Sequence, residues 1–89
     1  MKFTWHEPKR KASLKKHGLD FADAEGVFNG PTISQEDSRD YHGEQRFKPT
    51  GFLGETIVTI CHTETGDEIH IISMRKAESH EIDTLSRYL

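Results

Sequence analysis

The chain has 89 residues, 33% of them hydrophobic and 30% charged, with a formal net charge of −3. That length is one domain, here residues 1–89, and a chain this short buries only about 60–65% of the surface its unfolded form exposes. A net negative charge argues against tight nucleic-acid binding by bulk field, and no apolar run approaches the ~20 residues that a membrane helix needs.

Met1-Lys2-Phe3-Thr4-Trp5 lacks the apolar stretch of a signal peptide, and Cys61 is the single cysteine, so no internal disulfide forms. Both features lead us to expect a cytoplasmic protein in a reducing compartment, with no membrane contact. The charge is uneven along the chain: residues 1–17 carry +5, residues 18–45 carry −6 and residues 46–89 carry −2. A local basic patch therefore survives the acidic total, although Lys9 to Lys16 also reads as an ordinary solvated helix face.

In chain order, Lys2–Trp5 alternates enough for a short strand. Pro8 suits the first turn of a helix running through Ala12 and Leu14 to His17, with Gly18 as the stop. Asp20 is a good N-cap for a second helix bearing Phe21, Ala24, Val27 and Phe28, ended by Asn29-Gly30-Pro31. Thr32–Ser34 is a short strand, and the polar residues 35–45 read as a loop. Arg46–Phe52 is a further strand, which Pro49 pushes toward a sheet edge or a bulge. Thr56–Thr63 is the best strand in the sequence, and Thr65-Gly66-Asp67 turns it into Glu68–Met74. The last element, about Glu78–Leu89, puts Ile82, Leu85 and Leu89 on one helical stripe. The order β-α-α-β-β-β-β-α with short connections predicts an α+β fold: an antiparallel sheet packed by N-terminal helices and a C-terminal helix.

Glycine-rich phosphate loops, GxSxG, CxxC and HExxH are all absent. The six histidines show no metal-ligand spacing within one element, so no metal and no cofactor are expected. With a three-residue turn at 65–67, His62 and His70 face each other across the hairpin. His17 follows Lys16 at a helix C-terminus, where the macrodipole favours an imidazolium and where capping alone also explains both residues. Asp40-Tyr41-His42-Gly43-Glu44-Gln45-Arg46 gathers a phenol, an imidazole, carboxylates and a guanidinium at a loop–strand junction. Arg75 and Lys76 close the last strand, where a guanidinium fork suits phosphate or, equally, pairs with Glu44 or Glu81.

Taken together, these pieces resemble the BrnT family of toxins from type II toxin–antitoxin systems. The matching residues are Phe3-Thr4-Trp5, Lys9, Lys16-His17-Gly18-Leu19-Asp20-Phe21, Ala24, Val27-Phe28, Pro31, Tyr41, Gly43-Glu44-Gln45-Arg46-Phe47, Ile71-Ile72-Ser73-Met74-Arg75-Lys76-Ala77, Glu81 and Tyr88. The chain carries His6, Ser13, His62 and His70 where that family commonly has Asp, Asn, Tyr and Arg.

The resemblance implies a RelE-like, metal-independent endoribonuclease that inhibits growth and acts on RNA. It also implies a BrnA-like antitoxin through which alone the protein meets DNA. By motif position it points to His17, Glu44, Arg46 and Arg75 as catalytic residues. Lys16, His62, His70 and Lys76 are the expected substrate contacts. The rival expectation is a catalytically degenerate toxin-like chain that binds an antitoxin or serves as a co-repressor.

Overall fold

A computed structural model describes residues 1–37 and 43–89. Its elements are β1 (Lys2–Trp5), α1 (Glu7–His17), a 3₁₀ turn (Phe21–Asp23), α2 (Ala24–Phe28), β2 (Thr32–Asp37), β3 (Arg46–Leu53), β4 (Thr56–Thr65), β5 (Glu68–Lys76) and α3 (Ser79–Ser86). The five strands form one sheet in the order β1-β5-β4-β3-β2.

Helix α1 buries none of its residues. One ionic contact ties it to the segment that follows: Arg10, paired with Glu7 inside the helix, reaches Asp20 at 3.2 Å, and the helix lies against β5. Ser13 Oγ also donates to the Leu19 carbonyl at 3.4 Å. His6 occupies the N-cap without a side-chain bond, so the capping that an Asp there supplies is lost. Gly18 closes the helix with φ 69°, a conformation that suits glycine, and its N–H donates to Leu14 O at 2.9 Å. Asp20 accepts from the Ala22 N–H at 3.0 Å, but what it caps is a 3₁₀ turn; the expected second helix is α-helical only from Ala24.

The apolar face of the sheet is covered by the segment after α1. Leu19, Phe21, Ala24 and Val27 pack on Val58, Ile60, Ile69, Ile71 and Met74. Full burial of each large side chain among them contributes roughly 1.5–3 kcal/mol. The chains approach closely at Gly51, where a Cβ would stand 2.8 Å from Thr32 Cγ2 and 3.0 Å from Val27 Cγ1.

The sheet departs from the sequence expectation in three ways. β1 joins the antiparallel array in parallel, Lys2 opposite Glu68 through Trp5 opposite Ile71, so the sheet is mixed. β3 lies inside the sheet between β4 and β2, not at an edge. Pro49 is buried there, and the β3–β4 pairing skips from Phe47 opposite His62 to Thr50 opposite Thr59. The hairpin turn is two residues, Gly66-Asp67, because Thr65 already pairs with Glu68.

The C-terminal helix is shorter than expected. α3 stops at Ser86, Leu85 is buried, and Leu89 of the expected stripe is exposed.

Candidate active site

The geometry of the site begins with one unpaired residue. β4 and β5 pair as Ile60–Met74, Cys61–Ser73 and His62–Ile71, which leaves Ile72 without a partner. Strict alternation from the buried Ile69 and Ile71 would point Ser73 and Arg75 into the core. The bulge at Ile72 shifts the phase, so Met74 is buried and Ser73 and Arg75 turn to the opposite face. There, Arg46, Lys48, Thr59, Cys61, Ser73 and Arg75 line an open cavity of about 190 Å³.

Arg75 is held in place by the last helix. Its Nη1 donates to Glu81 Oε1 at 2.7 Å and its Nη2 to Glu81 Oε2 at 3.0 Å. Glu81 also accepts from the Glu78 N–H at 2.8 Å and from Thr59. Burial alone would raise the Glu81 carboxyl, but the bonds from Arg75, Glu78 and Thr59 prevail and hold it at about 2. The Glu81 side chain is 7% exposed and that of Arg75 37%. The guanidinium is thus charged, oriented and open on one side.

That open side faces a second hollow. Lys16, His17, Arg75 and Lys76 line a cleft of about 390 Å³. Gly18 terminates α1 so that Lys15, Lys16 and His17 occupy its last turn, where cations oppose the negative end of the helix dipole. Arg75 belongs to both hollows, so the geometry joins four expected site residues, Lys16, His17, Arg75 and Lys76, to Arg46.

Other expected residues stand apart. Glu44 accepts from Arg46 Nε at 3.3 Å but lines a different cleft, with Thr63 and Glu64. His17 and Glu44 therefore do not face each other across one cavity. His70 lies at the β1–β5 junction, its Nδ1 2.9 Å from Thr4 Oγ1. Asp40, Tyr41 and His42 lie outside the described residues. The expected His62–His70 pair does not form: with the two-residue turn, His62 pairs with Ile71 and Thr63 with His70, so the two rings project from opposite faces.

His62 also departs from its expected role as a substrate contact. It is 3% exposed, stacked on Phe47 and edge-on to Phe28, and its Nδ1 has no hydrogen-bond partner among the described residues. Burial pushes the His62 imidazole below its ordinary value, against the opposing pull of Glu64. The sign follows: a group depressed in the folded state removes stability as pH falls below its unfolded value of about 6.5. Unfolding free energy measured in urea should therefore decline as the pH falls below about 6.5, and His62→Phe should flatten that decline. A slope left unchanged by the substitution assigns the effect to other groups.

Lys48, Thr59, Cys61 and Ser73 were not expected at the site. Lys48 was legible in part: in Arg46-Phe47-Lys48, strand alternation puts both cations opposite the face on which Phe47 stacks. Among the described residues no group of three or more His, Cys, Asp or Glu is placed to hold a metal ion.

Residues 5–81 match the family model described as "Ribonuclease toxin, BrnT, of type II toxin-antitoxin system". Among solved structures, the chain is similar to the 1.1 Å crystal structure of the Brucella abortus ribonuclease toxin BrnT, with 32% sequence identity and a TM-score of 0.64. That match covers 89% of this chain and 99% of the Brucella chain. No curated protein matches. The sheet, its helices at both chain ends and the ordered motifs lead to one conclusion: the chain belongs to the BrnT family of type II ribonuclease toxins, with a RelE-like fold.

Proposed function

We propose that this protein is a metal-independent endoribonuclease that arrests growth by cutting RNA and is silenced by a BrnA-like antitoxin. The observation that carries this reading is the set of cations Arg46, Lys48 and Arg75 around one hollow of the sheet. A phosphodiester seated there meets fixed positive charge, the main requirement for stabilising a phosphorane. The ribose 2′-oxygen attacks the adjacent phosphorus and the bond to the 5′-oxygen breaks, leaving a 2′,3′-cyclic phosphate and a 5′-hydroxyl. One group takes the 2′ proton and another supplies a proton to the leaving oxygen.

His17, beside Arg75 in the adjoining cleft, is our choice for one proton transfer. Glu44 lines a different cleft, so its part on this reading is to orient Arg46 through their ion pair, and water in the open hollow serves the other proton transfer. Lys16 and Lys76 supply further charge to the RNA backbone. His70 lines neither hollow that Arg75 joins, and the buried His62 is left out of the mechanism.

The antitoxin on this reading covers the cationic hollows with an acidic surface and supplies any DNA contact of the complex. The described residues include no helix long and apolar enough to cross a membrane, and we place the reaction in the cytoplasm with the RNA.

A second reading has one observation behind it. Glu81 takes up two nitrogens of Arg75, as in a degenerate toxin kept for binding its antitoxin. Purified protein freed of its partner decides between the two. Incubated with RNA in EDTA, it should produce fragments with cyclic phosphate ends. Intact RNA after prolonged incubation with excess protein would favour the binding module.

A further inference from the structure

A third hollow lies on the other side of β5. β1 ends at Trp5, opposite Ile71, so the outer edge of residues 72–76 has no strand beside it among the described residues. Between that edge and α1 is a slot of about 200 Å³, floored by Phe21 and Met74 and walled by Ala12 and Ile72. Lys9, Lys16 and His17 form its rim. Ile72 and Ser73 also line the cationic cavity, and Lys16 and His17 also line the cleft that holds Arg75. The three hollows therefore ring the open end of β5.

We propose that this slot is a nucleoside subsite that takes one unpaired base of single-stranded RNA. The inference rests on the ribonuclease reading and assigns how substrate is gripped. The volume is below the 300–1,000 Å³ of pockets for drug-sized ligands, a scale that suits one planar ring system. Its apolar lining comes from Ala12, Phe21, Ile72 and Met74, with Ser13 and Ser73 beside them, a setting in which an aromatic and a thioether side chain suit a flat unsaturated ring. The strand edge offers amide N–H and carbonyl groups that no neighbouring strand takes up, suited to the polar rim of a base. Lys9, Lys16 and His17 at the mouth, with Arg75 and Lys76 beyond, complement phosphates on both sides of the bound nucleoside. A base stacked within a duplex cannot enter, so the slot selects single strands.

Ala12 is an exposed helical residue that lines the slot, and leucine there fills space with little loss of helix propensity. The test uses anisotropy with a single-stranded RNA heptamer carrying 2′-O-methyl groups, which block cleavage, and a series each bearing one abasic nucleotide. On the wild-type protein, one abasic position should weaken binding about 5- to 100-fold, the range expected for one stacked base. Ala12→Leu should weaken the intact heptamer by a similar factor, and the abasic change at that position should then cost little more.

Equal affinity of Ala12→Leu and wild type for every heptamer overturns the subsite. So does an equal further loss on the abasic series. If Ala12→Leu binds RNA normally but loses its co-expressed antitoxin, the slot holds protein and the proposal is wrong. A wild-type protein that cleaves no RNA defeats the ribonuclease reading itself. Wild-type cleavage with an unaltered KM in Ala12→Leu defeats the subsite alone.

Discussion

Arg75→Ala should lose about 10²–10³ in the rate of RNA cleavage, the usual scale for removing one preorganised cation or donor aimed at a developing oxyanion. The same substitution should also weaken the fold, because Glu81 is 6% exposed and would be left charged without its main partner. Breaking a buried pair from one side costs about 3–5 kcal/mol. Arg75 is 37% exposed and partly screened, so about 2–3 kcal/mol is the better expectation. For a domain of this size that lowers Tm by roughly 10–15 °C.

The two losses are separable. Glu81→Gln combined with Arg75→Ala removes the stranded charge and should restore most of the stability, but none of the cleavage. Arg75→Lys should recover part of the activity, since an ammonium keeps the charge without the fork. Measuring Tm and single-turnover cleavage on the same preparations distinguishes the roles. A stable double variant that cleaves RNA near the wild-type rate would reduce Arg75 to a strut for α3.

Deletion of Ile72 should regularise β5 and leave a cooperative fold. Ile71, opposite His62, then runs directly into Ser73, opposite Cys61, so both halves of the strand keep their register with β4. Ile71 and Met74 stay in the core and Ser73 and Arg75 stay on the opposite face, as strict alternation requires. The deletion removes the Ile72 side chain from the two hollows it lines and the extra local twist of the bulge. Near-ultraviolet circular dichroism and a urea melt report the outcome. Loss of the cooperative melt would show that the bulge itself is needed to seat β5.

The elements themselves were written plainly. Pro8, Gly18 and Asp20 bracket α1 and start the turn after it at the positions their backbone chemistry demands. The β-branched runs of β4 and β5 meet in the expected hairpin. What local pattern could not give was phase and neighbour. Glu68–Met74 reads as one alternating run until Ile72 breaks it, and nothing local marks that break. One residue of turn length then decided whether His62 faced His70 or the core.

The candidate site was legible where it sits at element ends: His17, Arg46 and Arg75 are named by position in the sequence and line the adjoining hollows. It was illegible at Cys61 and Thr59, which join it only through pairing across the sheet. The partner of Arg75 had been narrowed to two carboxylates by charge alone. Choosing Glu81 required the packing of α3.

The parallel pairing of β1 has a consequence in time. Lys2 waits for Glu68 and Trp5 for Ile71, so the earliest of the five strands in chain order pairs with the latest. The β4–β5 hairpin closes over two residues and pays little loop entropy, whereas seating β1 closes a loop that spans most of the chain. Until then α1 is not held along the open edge of β5, and the slot between them does not exist. A partly opened chain therefore has a formed hairpin before it has the slot and the cleft that α1 lines, and seating the N-terminal strand and helix is the step that completes them.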